Sequence, residues 1–455
     1  MTTHEDTTLP IGQLAPIRRD NLLINFTTEF LRIWDTLGSR AKPAAFWRPT
    51  PTADVLPGYF PLGDVVNDDY DEITGRHVVA VVCEAEGPSA DPAKGKALRR
   101  PDDYELIWKD SGSRSKKDGA IWRPIPPEGY VALGSVCSNG HEKPSSNAVR
   151  CVRADLVIAS GLSVPVWSDR GSGARQSVST WSAVPPSAQS DEINLAPGTF
   201  VGIGGYSRPS DFLVYSLRTQ IPLEGKSRPS APVLDGVTPP FEQMCERVTQ
   251  TVQLPWFAVK DPSLSPREQP RNSPFYRLQR TDYYQLVGHC HNSSADKKTF
   301  RWTAPRAQTP ERLRSFTALT SVEFGAQWQS NVARPFLFSA RLNSDFTQSD
   351  VHSNEWLNTA PIEIAAVTAA ESWMAVYLMQ SEFALLRADG SPVTDSVSYT
   401  DANTLHFSEY TAPTPSAAIL PTEETAPPAQ SPIDITTANT AQVQTEPPSA
   451  TDTAP

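Results

Sequence analysis

The apolar positions of this chain fall into short, β-prone runs broken at close intervals by proline and glycine. That is the pattern of strands joined by turns rather than of helices. Tyr104-Glu105-Leu106-Ile107-Trp108 reads as a strand, Lys109 to Ser113 as a turn, and a second short strand leads into Ile121-Trp122. Pro124, Pro126 and Pro127 have no donor for a sheet ladder, so the chain should cross between sheets there or follow an edge. Tyr130 to Leu133 restarts a strand, and Gly134 predicts a bulge or a close backbone approach. This unit holds about three to four short strands.

The pattern recurs. Upstream stands Phe46-Trp47-Arg48-Pro49 with Gly58-Tyr59 and Leu62-Gly63; downstream stands Thr180-Trp181-Ser182-Ala183 with Phe200 to Gly204. A second marker precedes each copy: Trp34 with Gly38-Ser39, Trp108 with Gly112-Ser113, and Trp167 with Gly171-Ser172. Two markers in register three times define an internal repeat. One such unit cannot bury both faces of its own sheets, whereas three about a pseudo-threefold axis can share one core, the β-prism solution. The fold class is therefore predominantly all-β, with an N-terminal threefold-repeat β-prism, a second β-rich domain and a disordered tail.

The expected organisation is a flexible leader over 1–21, the β-prism over 22–215, a Pro-rich linker over 216–240, a β-rich domain over 241–410 and an acidic Pro/Thr tail over 411–455. In the second domain Phe241 to Val248 reads as a short helix, and Ser273 to Leu278 and Tyr283 to Val287 as aromatic strands. Ala318 to Ser330 and Phe336 to Asn343 alternate apolar and polar residues, as a half-buried sheet does and as a membrane-inserting hairpin does. Ile362 to Leu378 suits a helix by its alanines, while Trp373 to Met379 suits a strand. The tail has too little apolar content to offset its ordering entropy.

The net charge of −11 argues against a dedicated nucleic-acid binder. The five cysteines form no CxxC pair, so neither a zinc site nor a redox motif is indicated. Cys137 and Cys151 suit pairing across adjacent strands, but buried reduced thiols are the better reading. His289-Cys290-His291 is the one compact set of metal-type ligands, yet on a strand Cys290 points away from both histidines, so no metal is expected. No basic start with an apolar run marks a secretory signal, and 18 consecutive apolar residues occur nowhere. A cytoplasmic or peripheral membrane location is the resulting expectation.

Ile33-Trp34-Asp35, Phe46-Trp47-Arg48-Pro49, Leu62-Gly63-Asp64-Val65, Pro101 to Tyr104, Ile121-Trp122-Arg123-Pro124, Gly129 to Gly134 and Val149 to Leu156 carry a specific likeness. Over residues 22–215 the chain resembles the vacuolar protein sorting-associated protein sixty-two family, related to a β-prism module found beside endosomal sorting subunits. The resemblance implies a β-prism and a peripheral membrane or trafficking role, with no catalytic motif to carry over. Ser182-Ala183 replaces Arg-Pro in the third repeat and breaks any threefold ligand pattern.

Trp47, Arg48, Trp122, Arg123 and Trp181 are the candidate ligand-binding residues, as aromatic platforms with adjacent cations; a core role for the indoles competes with that reading. No catalytic, cofactor or metal residues are assigned. The expected function is non-enzymatic binding of a membrane surface, lipid headgroup or glycan, in vacuolar or endosomal sorting, with a protein partner or oligomer compatible. The alternative is a pore-forming or toxin-like protein whose β-prism targets and whose second domain inserts.

Overall fold

The computed structural model describes residues 15–87, 90–210, 213–239, 247–324, 326–329, 336–348 and 355–413. The expected helix over Phe241 to Val248 lies outside these residues up to position 246, as do most of the tail and the leader.

The first repeat comprises β1 (Ile17–Arg19), β2 (Leu22–Thr27), β3 (Phe30–Asp35), β4 (Ala45–Pro49), β5 (Phe60–Pro61), β6 (Val65–Asn67) and β7 (Val79–Glu84). The second holds β8 (Leu98–Arg99), β9 (Asp103–Lys109), β10 (Gly119–Ile125), β11 (Tyr130–Val131), β12 (Val136–Asn139) and β13 (Cys151–Arg153). The third holds β14 (Val157–Ser168), β15 (Val178–Val184), β16 (Glu192–Leu195), β17 (Phe200–Gly204) and β18 (Val214–Gln220).

Each repeat builds two small antiparallel sheets. One is β3-β4-β6, repeated as β9-β10-β12 and as the second half of β14 with β15 and β17. The other is β2-β7-β5, repeated as β8-β13-β11 and as the first half of β14 with β18 and β16. Three to four strands per repeat was therefore too few: six strand positions recur. β14 fills two of them because register shifts around Pro165 bend it from one sheet into the other.

The repeats close in a cycle. Asp64 N–H donates to Ser135 O (2.9 Å), Ser135 N–H to Phe200 O (2.8 Å), and Phe200 N–H to Asp64 O (3.0 Å). The same order holds for the first tryptophan of each repeat. Trp34 Nε1 donates to Lys117 O (2.8 Å), Trp108 Nε1 to Gln176 O (3.0 Å), and Trp167 Nε1 to Lys42 O (2.9 Å). These three indoles share one axial core with Phe46, Ile121 and Phe200. Gly134 makes the close approach its position predicts: a Cβ there would stand 2.6 Å from Thr199 Oγ1.

The second region contains β19 (Leu223–Gly225), β20 (Arg247–Pro255), α1 (Gln269–Asn272), β21 (Phe275–Asn292), β22 (Lys298–Ala304), α2 (Pro310–Thr320), β23 (Trp328–Gln329), β24 (Phe338–Arg341), α3 (Ser344–Thr347), β25 (Ile362–Thr368), β26 (Ser372–Leu386) and β27 (Val397–Thr411). Five strands form one sheet in the order β19-β20-β21-β26-β27. Its core is continuous with that of the repeats, Phe26 meeting Trp256, Phe257 and Phe336 edge-on or tilted at 5.0–5.7 Å.

One reading of this region is corrected, and one choice left open by the sequence is decided. Ala318 to Thr320 end a helix, started by Thr309, whose hydroxyl accepts from Arg312 N–H, with Pro310 at the first helical position. Among the described residues, the alternation that follows makes the two-residue β23 and the four-residue β24, each shorter than the roughly 9 to 11 residues of a membrane strand. β24 pairs with β16 of the third repeat, which is what its apolar alternation serves. The connection over 331–335 lies outside the described residues. Of the helix and the strand that the sequence of Ile362 to Leu378 allows, the structure has strand, in β25 and β26, with a turn over 369–371 between them.

Candidate functional site

Trp47, Trp122 and Trp181 are at most 5% exposed, each within a core cluster of its own repeat, to which Leu337 of the second region adds in the third. Trp122 Nε1 donates to Ser138 Oγ, and Trp181 Nε1 to Ser179 Oγ, both at 2.9 Å. Trp47 carries the Arg32 guanidinium over its ring at 4.5 Å. Arg48 makes two 2.9 Å bonds to the fully buried Asp64 and a third to Cys137 O at 2.7 Å. Burial pushes the Asp64 carboxyl up from its ordinary value, against the pull of Arg48. Arg123 pairs with Glu105 at 3.0 Å on the surface. The five residues thus sit in three separate repeats and do not converge on one site.

His289 and His291 face away from Cys290, as strand geometry requires. Cys290 is buried with its Sγ 3.5 Å from Thr368 Oγ1, and His291 stacks on Trp373 at 4.0 Å. Another cluster, Asp110, Asp118 and His141, was not singled out by sequence. Its buried member is held by a hydrogen bond from Gly119 N–H, another from Ser113 Oγ and a 2.7 Å contact with His141 Nε2. Those bonds pin the turn after Trp108. Spacing could not reveal the cluster, since His141 lies far along the chain.

The arrangement that invites a functional reading lies where β21 ends. β21 and β26 pair antiparallel from Arg277–Leu386 to Asn292–Ser372. Beyond them, β22 and β25 pair antiparallel from Lys298–Thr368 to Ala304–Ile362. Five residues, 293–297, intervene on one strand and three, 369–371, on the other. The two ladders are therefore successive parts of one long hairpin, and at those two turns the outer part folds back onto the inner.

The fold-back is held by complementary faces. Phe300, Trp302, Ala304, Ile362, Ile364 and Ala366 of the outer part pack on Cys290, Met374, Val376 and Leu378 of the inner. Thr299, Arg301, Thr303 and Glu363 are exposed on the opposite face. The turns are clamped by Asn292, 1% exposed, whose Nδ2 lies 2.9 Å from Asp296 O, 3.2 Å from Thr368 O and 2.8 Å from Ala369 O. No helix among the described residues is long and apolar enough to cross a membrane, a statement that leaves strands aside.

The fold and this element define a β-rich protein with a threefold-repeat unit followed by a long-stranded sheet carrying a folded-back hairpin. Residues 14–219 match the family model of vacuolar protein sorting-associated protein 62, which covers the three repeats. No curated protein matches the chain. Among solved structures, the crystal structure of GNIP1Aa from Chromobacterium piscinae is similar at 27% identity, over 42% of this chain and 34% of that one, with a TM-score of 0.35. This chain thus spans about a third of that structure. The crystal structure of Cry35Ab1 is 12% identical over 69% of this chain and 89% of that one, with a TM-score of 0.29.

Proposed function

We propose that this is a non-enzymatic, membrane-perforating protein in which a β-prism-like repeat unit targets a membrane and the hairpin formed by β21–β22 and β25–β26 inserts. The observation that carries the reading is the pair of ladders interrupted at 293–297 and 369–371. Extended through those turns, even-numbered positions share one face. That face holds Cys290, Phe300, Trp302 and Ala304 on one strand and Ile362, Ile364, Ala366, Met374 and Val376 on the other. Odd-numbered positions carry His289, His291, Thr299, Arg301, Thr303 and Glu363, together with the apolar Ala365, Val367, Trp373 and Ala375. Joined through the turns, 290–304 and 362–376 each have the length, above the roughly 9 to 11 residues, that a membrane strand needs, whereas β22 or β25 alone does not. The even-numbered face is interrupted at the turns by Asn292, Ser294, Asp296 and Lys298 on one strand and by Thr368 and Ser372 on the other.

Insertion has a structural requirement. Residues 305–361 connect the two outer strands and are anchored on the body through Phe316, the β24–β16 ladder and Phe346. Opening therefore needs this segment to let go, which makes membrane contact the natural trigger.

Thr368→Cys tests the reading, because it sets a second sulphur beside Cys290 and would lock the fold-back as a disulfide. Calcein release from phosphatidylserine-containing vesicles is measured with the full-length protein. Release by wild type and by the reduced variant, with none by the oxidised variant, is expected. Equal release by both redox forms of the crosslinked protein, or no release by wild type, overturns it.

A further inference from the structure

The turns that follow the marker glycines, residues 38–42, 112–117 and 171–175, meet at one end of the repeat unit. Lys116 N–H donates to Leu37 O at 2.7 Å and Arg175 N–H to Ser111 O at 3.1 Å. Gly38 lies against Arg114 O, Gly112 against Gly173 O, and Gly171 against Arg40 O. The three indole bonds end on carbonyls within these turns, at Lys117 and Lys42, or just after one, at Gln176. With the main chain committed to these mutual contacts, the side chains are left to solvent.

Those segments carry Arg40, Lys42, Arg114, Lys116, Lys117 and Arg175, all exposed, and no acidic residue. Six cations thus gather about the pseudo-threefold axis of a chain whose net charge is −11. Of the neighbouring acids, Asp110 and Asp169 are buried and bonded within their own turns, Asp35 is half-buried beside Arg32, and Asp118 is exposed at the border. Leu37, just before the first turn, stands 37% exposed.

We infer that this end of the repeat unit is the membrane-docking face and that it recognises a bilayer of anionic phospholipid. Three symmetry-related turns present their charges around an axis, a layout that fits a planar array of phosphates and carboxylates met end-on. A linear polyanion laid across the same end would run out over the acidic remainder of the chain. End-on contact keeps that acidic remainder away from the bilayer, and screening by salt confines its repulsion to about a Debye length, ~8 to 10 Å. Leu37 adds an apolar contact at the headgroup boundary. The inference deepens the proposed function by naming the lipid class and the surface that meet first, and it does not depend on which segment inserts.

The test is co-sedimentation of the full-length protein with phosphatidylcholine vesicles, alone and with phosphatidylserine, at low and high salt. The apex variant is Lys116→Glu/Lys117→Glu, whose side chains are exposed and whose hydrogen bonds in the turn are made by the main chain. The control of equal charge change is Arg312→Glu/Arg314→Glu on the exposed side of α2. Unchanged thermal midpoints show that both fold. Wild type and control should bind serine-containing vesicles in a salt-sensitive way, with the apex variant weaker by at least about tenfold. Equal binding by apex variant and control, equal binding to phosphatidylcholine alone, or binding to duplex DNA with none to vesicles overturns the inference. Serine-dependent binding with contents retained supports this face while removing the perforation reading; leakage indifferent to the apex charges does the reverse.

Discussion

The indole of Trp302 rests directly on Gly288, where a Cβ would come within 2.1 Å of its Cδ1. Gly288 stands at the register shift in the β21–β26 ladder, so the bulge and the missing side chain together make the seat for the folded-back hairpin. Gly288→Val should push Trp302 off that seat without touching the repeats. The expected outcome is faster amide exchange over 298–304 and 362–368, with β4, β10 and β15 unchanged, and a lower protein concentration for vesicle leakage. Unaltered exchange in the hairpin would show that Trp302 does not hold it down.

Asn292 acts at the other end of the same element, bonding to carbonyls in both turns at once. Asn292→Ala leaves buried acceptors with fewer partners, each worth roughly 1 to 3 kcal/mol when unsatisfied. Urea unfolding should show a loss in that range, and exchange should quicken at 293–297 and 369–371. Loss of stability spread evenly over the molecule would mean that Asn292 is an ordinary core residue rather than a clamp.

The repeat unit was legible because its signals are local and recur: a tryptophan, a glycine four residues on, then a second tryptophan. The close approach at Gly134 was legible too, because only glycine tolerates it. The number of strands was not. β5, β8 and β11 are two residues long, and pieces that short carry no periodicity. The folded-back hairpin was missed for a different reason. β22 and β25 are separated by 57 intervening residues, so their pairing is a long-range fact, whereas the alternating runs around 318 and 338 are near neighbours in the chain. Equally, Arg48 beside Trp47 looks like a binding pair in one dimension, whereas its carboxylate partner Asp64 belongs to a loop that only the fold brings close.

Closure around the axis sets a third expectation. Gly134→Ala would place a Cβ 2.6 Å from Thr199 Oγ1 and 3.1 Å from Gly63 Cα, in a ring of three repeats with no room to spread. Overpacking of this kind costs about 1 to 3 kcal/mol. Thr199→Gly in the same chain should recover part of it, since it removes the nearest obstruction and restores the glycine found at this place in the other two repeats. Thermal or denaturant unfolding of the single and double variants measures the coupling. Strict additivity would show that the two positions do not meet.

The contrast between Arg48 and Arg123 separates a buried pair from an exposed one at the same repeat position. Arg48 bonds twice to an Asp64 that is fully buried, and Asp64 also accepts from Cys137 N–H. Removing one partner of such a pair strands the other charge, typically at 3 to 5 kcal/mol, roughly. Arg48→Met should approach that loss at pH 7, whereas Arg123→Met, which breaks an exposed pair with Glu105, should cost at most about 1 kcal/mol. The pH dependence gives the sign. Burial already raises the Asp64 carboxyl above its ordinary value, and without Arg48 it rises further. A carboxyl with a raised native pKa binds its proton more tightly in the folded state, so its destabilisation is felt above that pKa and fades as pH falls through it. The deficit of Arg48→Met relative to wild type should therefore shrink on acidification from pH 7 toward the unfolded carboxyl range, while that of Arg123→Met stays small throughout. A deficit for Arg48→Met that grew with acid would mean that Asp64 is solvated once its partner is gone.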